Sequence, residues 1–241
     1  MAFTGYGTGH RKEGGQNMDL AKSFEFFNPA ECKQNIHIIG AGSVGSTLGE
    51  LLSRLGLLKF HLYDFDKVEA KNIANQMFFD SDIHRPKVEA LRDLIIKINP
   101  EAKDSIVLHP EGYTGQRLSG YVFLCVDNIE LRRKIVEANM MNSYIKAMFD
   151  FRTGLTDAQH FAADWSKPQD RKQLLGSMQF SHEDAKADTP VSACGVELSV
   201  ASTIRVIVSF GVTNFMNYTM GKPLKKFIQC DAFNYVLDAF E

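Results

Sequence analysis

Short apolar runs alternate with longer segments of helical periodicity up to residue 151. Such runs, bounded by polar or glycine-rich residues, predict buried strands, whereas apolar residues at every third or fourth position predict helices. This alternation predicts an α/β fold with a mostly parallel sheet, helices on both faces and right-handed crossovers. The predicted strands are 35–39, 59–66, 105–110, 120–127 and 143–151, and the predicted helices are 43–55, 86–98 and 129–141.

The pattern changes after this alternating region. Residues 156–165 predict another strand, whereas residues 166–190 are polar and lack periodicity. Residues 196–220 predict a mostly apolar helix of a buried core or a dimer, and residues 225–240 predict two short antiparallel strands. We therefore expect a mixed or antiparallel C-terminal extension of the sheet, preceded by a long irregular loop of the kind that is usually functional or disordered.

The composition predicts an ordinary soluble globular protein. Of its 241 residues, 44% are hydrophobic and 23% are charged, and this length suits one large domain or one domain with a lobe. The net charge of −2 indicates neither a nucleic-acid nor a membrane surface. No apolar run reaches the roughly 18 residues that a transmembrane helix needs.

The N-terminal segment and the cysteines bear on location. Residues 1–33 are expected to form a flexible leader because the N-terminus is rich in glycine and mixed charges. It lacks the apolar stretch of a secretory signal. The cysteines are widely spaced and include no C-x-x-C pair, which argues against a zinc knuckle or a disulfide framework and indicates a reducing, cytoplasmic location. They are Cys32, Cys125, Cys194 and Cys230.

A glycine-rich turn follows the first predicted strand, in HIIGAGSVGSTLGELL (37–52). Its glycines fit G-x-G-x-x-G, where two permit a tight turn close to a phosphate and the third permits helix–strand packing. The positive end of the following helix would face that phosphate. The pattern is typical of Rossmann-like domains and does not distinguish NAD, FAD and ATP. The residues expected against a nucleotide are Gly40, Gly42, Ser43, Val44 and Gly45.

Acidic residues end the second and fourth predicted strands, at the edge where ligands bind to parallel sheets. Asp64, followed by Asp66, is placed to accept a hydrogen bond from a ribose hydroxyl of NAD or ATP, or is simply a solvated acid. Asp127 is placed to hold Mg²⁺ together with phosphate oxygens. Alternatively, Asp127 and Asn128 cap the helix that follows, since both residue types suit that position.

Two cations begin the helix predicted at 86–98. Arg85 and Lys87 follow Asp82, the expected cap of this helix, and the helix dipole gives no reason for cations at this end. A triphosphate needs such charges, because negative charge builds on its oxygens as it is attacked. The alternative is that both cations lie on a solvated helix face. The preceding loop adds the polar candidates Asn72, Asn75 and Gln76.

One cysteine has a position that suits chemistry. Cys194 lies just before the apolar 196–220 helix, where the helix dipole can lower the pKa of a thiol and make it a nucleophile. The alternative is a small buried apolar residue, which is the common role of an isolated cysteine.

Together these segments resemble the MoeB/ThiF/HesA family, relatives of the ubiquitin-activating enzymes. The resemblance covers residues 36–235 and rests on GAGSVGS, YDFDKVEAKNIANQ, DIHRPKVEALRDLIIKINP, CVDN and CDAF. It implies a single adenylation domain over residues 34–241 that uses Mg-ATP to adenylylate the C-terminal carboxylate of a ubiquitin-like or sulfur-carrier protein or a peptide. It also implies a homodimer, and leaves open a small-molecule or RNA-borne carboxylate as the substrate.

The resemblance also implies roles for individual residues. The glycine turn would lie against the nucleotide, and residues 166–190 would form the crossover loop that encloses the tail of the partner. The remaining roles are Asp64 on the ribose, Asn72 near the phosphates, Lys87 against phosphate charge, Asp127 on Mg²⁺ and Cys194 as acceptor of the acyl or sulfur group.

The sequence departs from the family pattern at three places. Asn75 occupies a position that is usually arginine, for which Arg85 is the candidate replacement, and Arg11 is the only arginine before the first strand. The paired C-x-x-C motifs that bind structural zinc are absent, so we expect no zinc. The first two departures leave open a slow enzyme or a member that only binds nucleotide.

An NAD(P)-dependent oxidoreductase is the rival from another class. It would account for the glycine turn and Asp64. It would leave Arg85, Lys87 and Asp127 without a role.

Overall fold

The fold is an α/β sheet with helices on both faces, seen in a computed structural model that describes residues 18–181, 183, 191–192 and 198–241. Within them, the strand order is β3-β2-β1-β4-β5-β6-β7-β8. The strands are β1 (Ile36–Ile39), β2 (Phe60–Tyr63), β3 (Ile106–His109), β4 (Gly120–Leu124), β5 (Ile145–Thr153), β6 (Asp157–Asp164), β7 (Phe227–Asp231) and β8 (Val236–Phe240). The helices are α1 (Ser43–Arg54), α2 (Lys87–Ile98), α3 (Ile129–Ala138), α4 (Pro168–Gly176) and α5 (Ala201–Thr219).

The sheet has a parallel half and an antiparallel half. The pairs from β3 to β5 are parallel, and those from β5 to β8 are antiparallel. All four residues of β1 are buried, as expected for a central parallel strand covered on both faces. The predicted α/β fold with a C-terminal antiparallel extension is therefore confirmed.

The helices form two layers over separate apolar cores. One core joins one sheet face to α1, α2 and α5, and the other joins the opposite face to α3 and α4. Within the predicted N-terminal leader, Phe27 is buried in the first of these cores. None of the helices in the described ranges is long and apolar enough to cross a membrane.

The expectation of an irregular segment over 166–190 is wrong for α4. This helix begins with Pro168 at its first position, where proline costs no hydrogen bond and supplies a helical φ angle. Its apolar face is narrow, with Leu174 and Asp170 its buried residues, so the sequence shows little helical periodicity. Most of residues 182–197 lie outside the described residues. The predicted 196–220 helix begins later, at Ala201.

Neutral histidines are built into the interior. His37 stacks on His61, and its Nδ1 atom lies 2.9 Å from the Tyr63 hydroxyl. Burial, with the charges of His61 and His109, lowers the pKa of His37 to about 3. Burial also lowers the pKa of His160 to about 4. Both imidazole rings are uncharged in the folded protein, so in mildly acidic solution they bind a proton only when the chain unfolds.

Acid should therefore destabilise the fold well above the pKa of the carboxylates. The unfolded state gains a proton at each histidine below pH 6.5, whereas the folded state gains it only near pH 3 to 4. The free energy of unfolding should thus fall by about 1.4 kcal/mol per pH unit for each of the two histidines. Urea unfolding followed by the fluorescence of the buried Trp165 at pH 7, 6 and 5 measures this slope.

Two variants identify the source of the slope. His37→Gln should reduce it, whatever the variant does to stability at pH 7. His84 is exposed and has a φ of 72°, a conformation that asparagine tolerates, so His84→Asn should leave the slope unchanged. A slope unaffected by His37→Gln would contradict the assignment.

Candidate nucleotide site

Three loop ends meet at the carboxyl edge of the parallel strands. Gly40 N donates to Tyr63 O of β2 at 2.8 Å, and Cys125 N donates to Ile39 O of β1 at 2.8 Å. The loops after β1, β2 and β4 therefore leave the sheet side by side. Strands β2 and β4 end before their predicted boundaries, so the acidic residues that follow them lie in these loops.

The glycine turn is tight on two sides and open on the third. At Gly40, where φ is +99°, an added Cβ would lie 2.8 Å from the Cys125 carbonyl group. At Gly45 an added Cβ would lie 1.9 Å from Gly40 O. At Gly42 it would meet nothing within 4 Å. This open space lies at the N-terminus of α1, where Gly42 is the N-cap and Ser43 and Val44 follow, a geometry that suits an anion.

Asp64 connects the glycine turn to the loop after β2. Its carboxylate accepts hydrogen bonds from Ala41 N at 2.7 Å and from Asp66 N at 2.8 Å. Burial raises the pKa of Asp64, and the nearby Lys87 ammonium and these two N–H groups offset only part of that effect. Asp64 is thus a bonded, half-buried residue of the turn and not the solvated acid of the alternative interpretation.

Lys87 is a cation held near the turn, since its charge acts on Asp64, which bonds Ala41 N. Its Nζ lies 2.8 Å from Asp66 Oδ2, and the exposed fractions of the two side chains are 10% and 51%. The Lys87 N–H also donates to Asp66 O at 2.9 Å. The alternative of a solvated helix face is therefore wrong for Lys87.

Arg85, which precedes α2, is committed to an ion-pair cluster with Asp82 of the preceding 3₁₀ turn and Asp93 of α2. Its guanidinium pairs with Asp82 at 2.8 Å and, through a short contact, with Asp93. Asp82 also accepts a hydrogen bond from Phe79 N at 3.0 Å. The prediction that Asp82 caps α2 is wrong, because Pro86 is the N-cap and no side chain caps the helix. The two carboxylates already balance the charge that Arg85 was expected to contribute.

The loop after β2 contains buried hydrogen-bonding groups that the described residues do not satisfy. Asn72 Oδ1 accepts from Glu69 N at 2.9 Å and closes a 3₁₀ turn. Asn75 Nδ2 donates to Ser199 Oγ, next to the start of α5. Asn75 Oδ1 and Gln76 Oε1 are buried acceptors without a partner among the described residues. Such acceptors are rare unless water or a ligand satisfies them.

The two polar residues in the loop after β4, Asp127 and Asn128, have different surroundings. Asn128 Oδ1 accepts from Leu131 N at 2.9 Å and is the N-cap of α3, so the capping interpretation is confirmed for Asn128. Asp127 is exposed. Among the described residues, no group of three or more His, Cys, Asp or Glu side chains is arranged to hold a metal ion.

Cysteines in the described ranges are poor nucleophiles. Burial raises the pKa of the Cys32 thiol to about 12 and also raises those of Cys125 and Cys230. The predicted nucleophile, Cys194, lies outside the described residues.

Comparison with known protein families decides the assignment. The ThiF family model matches residues 32–240. This chain belongs to the ThiF family.

Relatives of this ThiF-family chain are longer proteins. Ubiquitin-like modifier-activating enzyme 5 of Drosophila pseudoobscura pseudoobscura is 31% identical over 206 residues, covering 78% of this chain and 45% of that protein. Its namesake in Caenorhabditis briggsae is 31% identical over 137 residues, covering 50% of this chain and 30% of that protein. The chain thus spans less than half the length of these relatives.

Solved structures share its fold. E. coli MccB, determined with ATP, has a TM-score of 0.62 at 15% identity and covers 88% of this chain and 64% of MccB. PaaA has a TM-score of 0.65 at 16% identity and covers 88% of this chain and 65% of PaaA. At these identities the likeness shows the fold alone.

The ThiF-family chain contains a buried charge network that the sequence analysis missed. Asp150 is fully buried between Arg132 and Arg152. Arg132 also donates to Val126 O, at 2.7 Å through Nε, and Arg152 donates to Ser177 O at 2.8 Å. The network therefore connects the loop that bears Asp127 to the end of α4. The feature of the sequence that could have indicated this network is Asp150, a charged residue inside the apolar run AMFDF (147–151).

Two glycine substitutions should have very different costs. Gly45→Ala places a methyl group on the Gly40 carbonyl oxygen and should destabilise the ThiF-family chain by about 3 kcal/mol or more. Gly42→Ala enters open space and should cost about 1 kcal/mol or less. Urea unfolding of both variants measures the difference. Equal costs would mean that the turn is not packed as described.

Removing the charge of Asp150 should be costly. Asp150→Asn leaves Arg132 and Arg152 buried without their carboxylate, and should destabilise the fold by about 3–5 kcal/mol. The matched control is Glu241→Gln, which breaks the exposed ion pair with Lys225 and should not shift the urea midpoint. Similar midpoints for the two variants would contradict a supporting role for the network.

Proposed function

We propose that this chain binds ATP at the carboxyl edge of the parallel strands and uses it to adenylylate a carboxylate at the C-terminus of a ubiquitin-like protein or a peptide. The observation that carries the proposal is Lys87, whose nearly buried ammonium is held by Asp66 beside the glycine turn. A triphosphate requires such a cation, and hydride transfer to a nicotinamide does not.

The described residues fit a nucleotide. The space beside Gly42 is open, since an added Cβ would meet nothing within 4 Å, and the adjacent N-terminus of α1 attracts phosphate. Asp64 has lone pairs left beyond its two backbone hydrogen bonds, enough to accept from a ribose hydroxyl. The orphan acceptors on Asn75 and Gln76 suit donors on a bound nucleotide or on the water around it.

Magnesium fits as an ion shared between protein and substrate. Asp127 presents an exposed carboxylate after β4, and Mg²⁺ is usually held by one or two carboxylates, phosphate oxygens and water. When bound, the ion would neutralise developing phosphate charge. Asp127 would hold it and thereby orient the polyphosphate.

The reaction needs alignment and charge stabilisation but no proton transfer. A carboxylate oxygen of the substrate forms a bond to the α-phosphorus, and the bond from that phosphorus to the pyrophosphate oxygen breaks. The products are an acyl-adenylate and pyrophosphate. Lys87 and the N–H groups of the turn would offset the charge on the phosphate oxygens.

The kind of substrate is supported by the names of related proteins. The relatives are named as activating enzymes of ubiquitin-like modifiers, and MccB has been solved together with ATP and with MccA. Because this chain spans less than half the length of the named relatives, its substrate stays a proposal. A homodimer and a cytoplasmic location belong to the same proposal.

Acyl transfer to Cys194 is a proposed second step. The thiolate would attack the acyl-adenylate, forming a thioester and releasing AMP. The hydrogen bond between Asn75 and Ser199 supports this step, because Ser199, five residues after Cys194 in the sequence, contacts the loop proposed to bind the nucleotide.

Calorimetric titration with ATP, with and without Mg²⁺, tests the function. We expect magnesium-dependent ATP binding, no binding of NAD or NADPH, and ATP–pyrophosphate exchange once a glycine-ended peptide is supplied. Asp127→Ala should weaken Mg-ATP binding by about tenfold or more. The control Glu101→Gln, an exposed acid in the turn before β3 at the opposite sheet edge, should bind normally. Binding of a dinucleotide instead of ATP would support an oxidoreductase.

A further inference from the structure

Arg205 brings an unassigned positive charge to the proposed nucleotide site. It lies in the second turn of α5 and is the only charged residue of that helix. Its Nη2 atom is 3.7 Å from Met77 Sδ. A lone charge on an otherwise uncharged helix calls for a specific explanation, because such a helix could be anchored by apolar packing alone.

Met77 places this guanidinium near the glycine turn. The Met77 N–H donates to Ser46 Oγ at 3.1 Å, and Ser46 belongs to the first turn of α1, directly after Gly45. The same loop is tied to the segment just before α5 by a side-chain hydrogen bond, which Asn75 Nδ2 donates to Ser199 Oγ. The guanidinium of Arg205 therefore lies against the loop from β2 to α2, at Met77, whose backbone N–H is hydrogen-bonded to the first turn of α1.

The other cations of this region already have carboxylate partners. Lys87 pairs with Asp66, and Arg85 pairs with Asp82 and Asp93. Among the described residues, no carboxylate lies within ion-pair distance of Arg205, whose side chain is exposed. Its only polar contact there is the thioether of Met77, a weak acceptor that leaves the guanidinium donors free.

We propose that Arg205 contacts the β- and γ-phosphates of the bound nucleotide. A guanidinium offers several donors in a planar fork that matches phosphate oxygens. Met77 has a flexible, polarizable side chain, and it would pack against the side chain of Arg205 where that side chain crosses the loop. This inference rests on the proposed function, and it assigns the outer phosphates to α5 and the inner phosphate to the glycine turn and Lys87.

Calorimetry with ATP, ADP and AMP tests the assignment in the full chain. Arg205→Gln should weaken ATP binding by about 10- to 100-fold, the value of one or two charge-assisted hydrogen bonds. AMP lacks the outer phosphates, so its affinity should change by less than about twofold. Arg205→Lys should restore part of the loss. Because Arg205 is exposed, the thermal midpoint of Arg205→Gln should match that of the native chain.

Arg117→Gln is the matched control. Arg117 is also exposed, but it stacks on Tyr144, which lies just before β5 at the opposite edge of the sheet, so its loss should leave all three affinities unchanged. Unaltered ATP affinity in Arg205→Gln would overturn the inference and leave the proposed function standing. An equal loss for ATP and AMP, or a lowered thermal midpoint, would show a structural role instead. A native chain that binds none of the nucleotides would overturn both proposals.

Discussion

The double parallel pairing of β1 is the constraint on which the site depends. Because β1 pairs in register with β2 on one side and with β4 on the other, the loops after these three strands leave the sheet at the same level. Neighbouring strands lie about 4.8 Å apart, so residues far apart in sequence become neighbours. A register shift of one residue would also move apolar side chains off their cores, and burial therefore protects the geometry of the site.

Backbone contacts carry this alignment into the loops. Gly40 approaches the Cys125 carbonyl so closely that no side chain fits between them. One residue further, Val126 O is held by Arg132, which Asp150 holds in turn. The glycine turn and the loop of Asp127 are thus braced from opposite sides, one by close packing and the other by a buried ion network. Such bracing favours a fixed arrangement of these two loops over one that forms only when ligand binds.

The fold could be predicted from sequence because its signals are local. Apolar runs and helical spacing gave the order of the elements through β5, and the register of a parallel sheet then placed Asp64 near Gly40. Side-chain partners could not be predicted in this way, because they depend on long-range packing. Arg85 and Lys87 look equivalent in sequence. In the structure, however, Arg85 pairs with Asp82 and with Asp93 of α2, whereas Lys87 pairs with Asp66 at the site. Helix α4 was missed because its buried face is too narrow to produce a period.

Charge balance explains why several elements would contribute to the proposed nucleotide site. The loop from β2 to α2 contains its own carboxylates, and Asp66 already offsets part of the charge of Lys87. That pairing fixes the Lys87 ammonium in place. Because Asp66 is half exposed, water screens its attraction for the ammonium, and the positive charge of Lys87 can still attract a ligand. A polyphosphate carries more negative charge than one partly neutralised lysine balances. Under the proposed function, the remainder would come from outside the loop: from the N-terminus of α1, from an ion held by Asp127 and from Arg205 of α5.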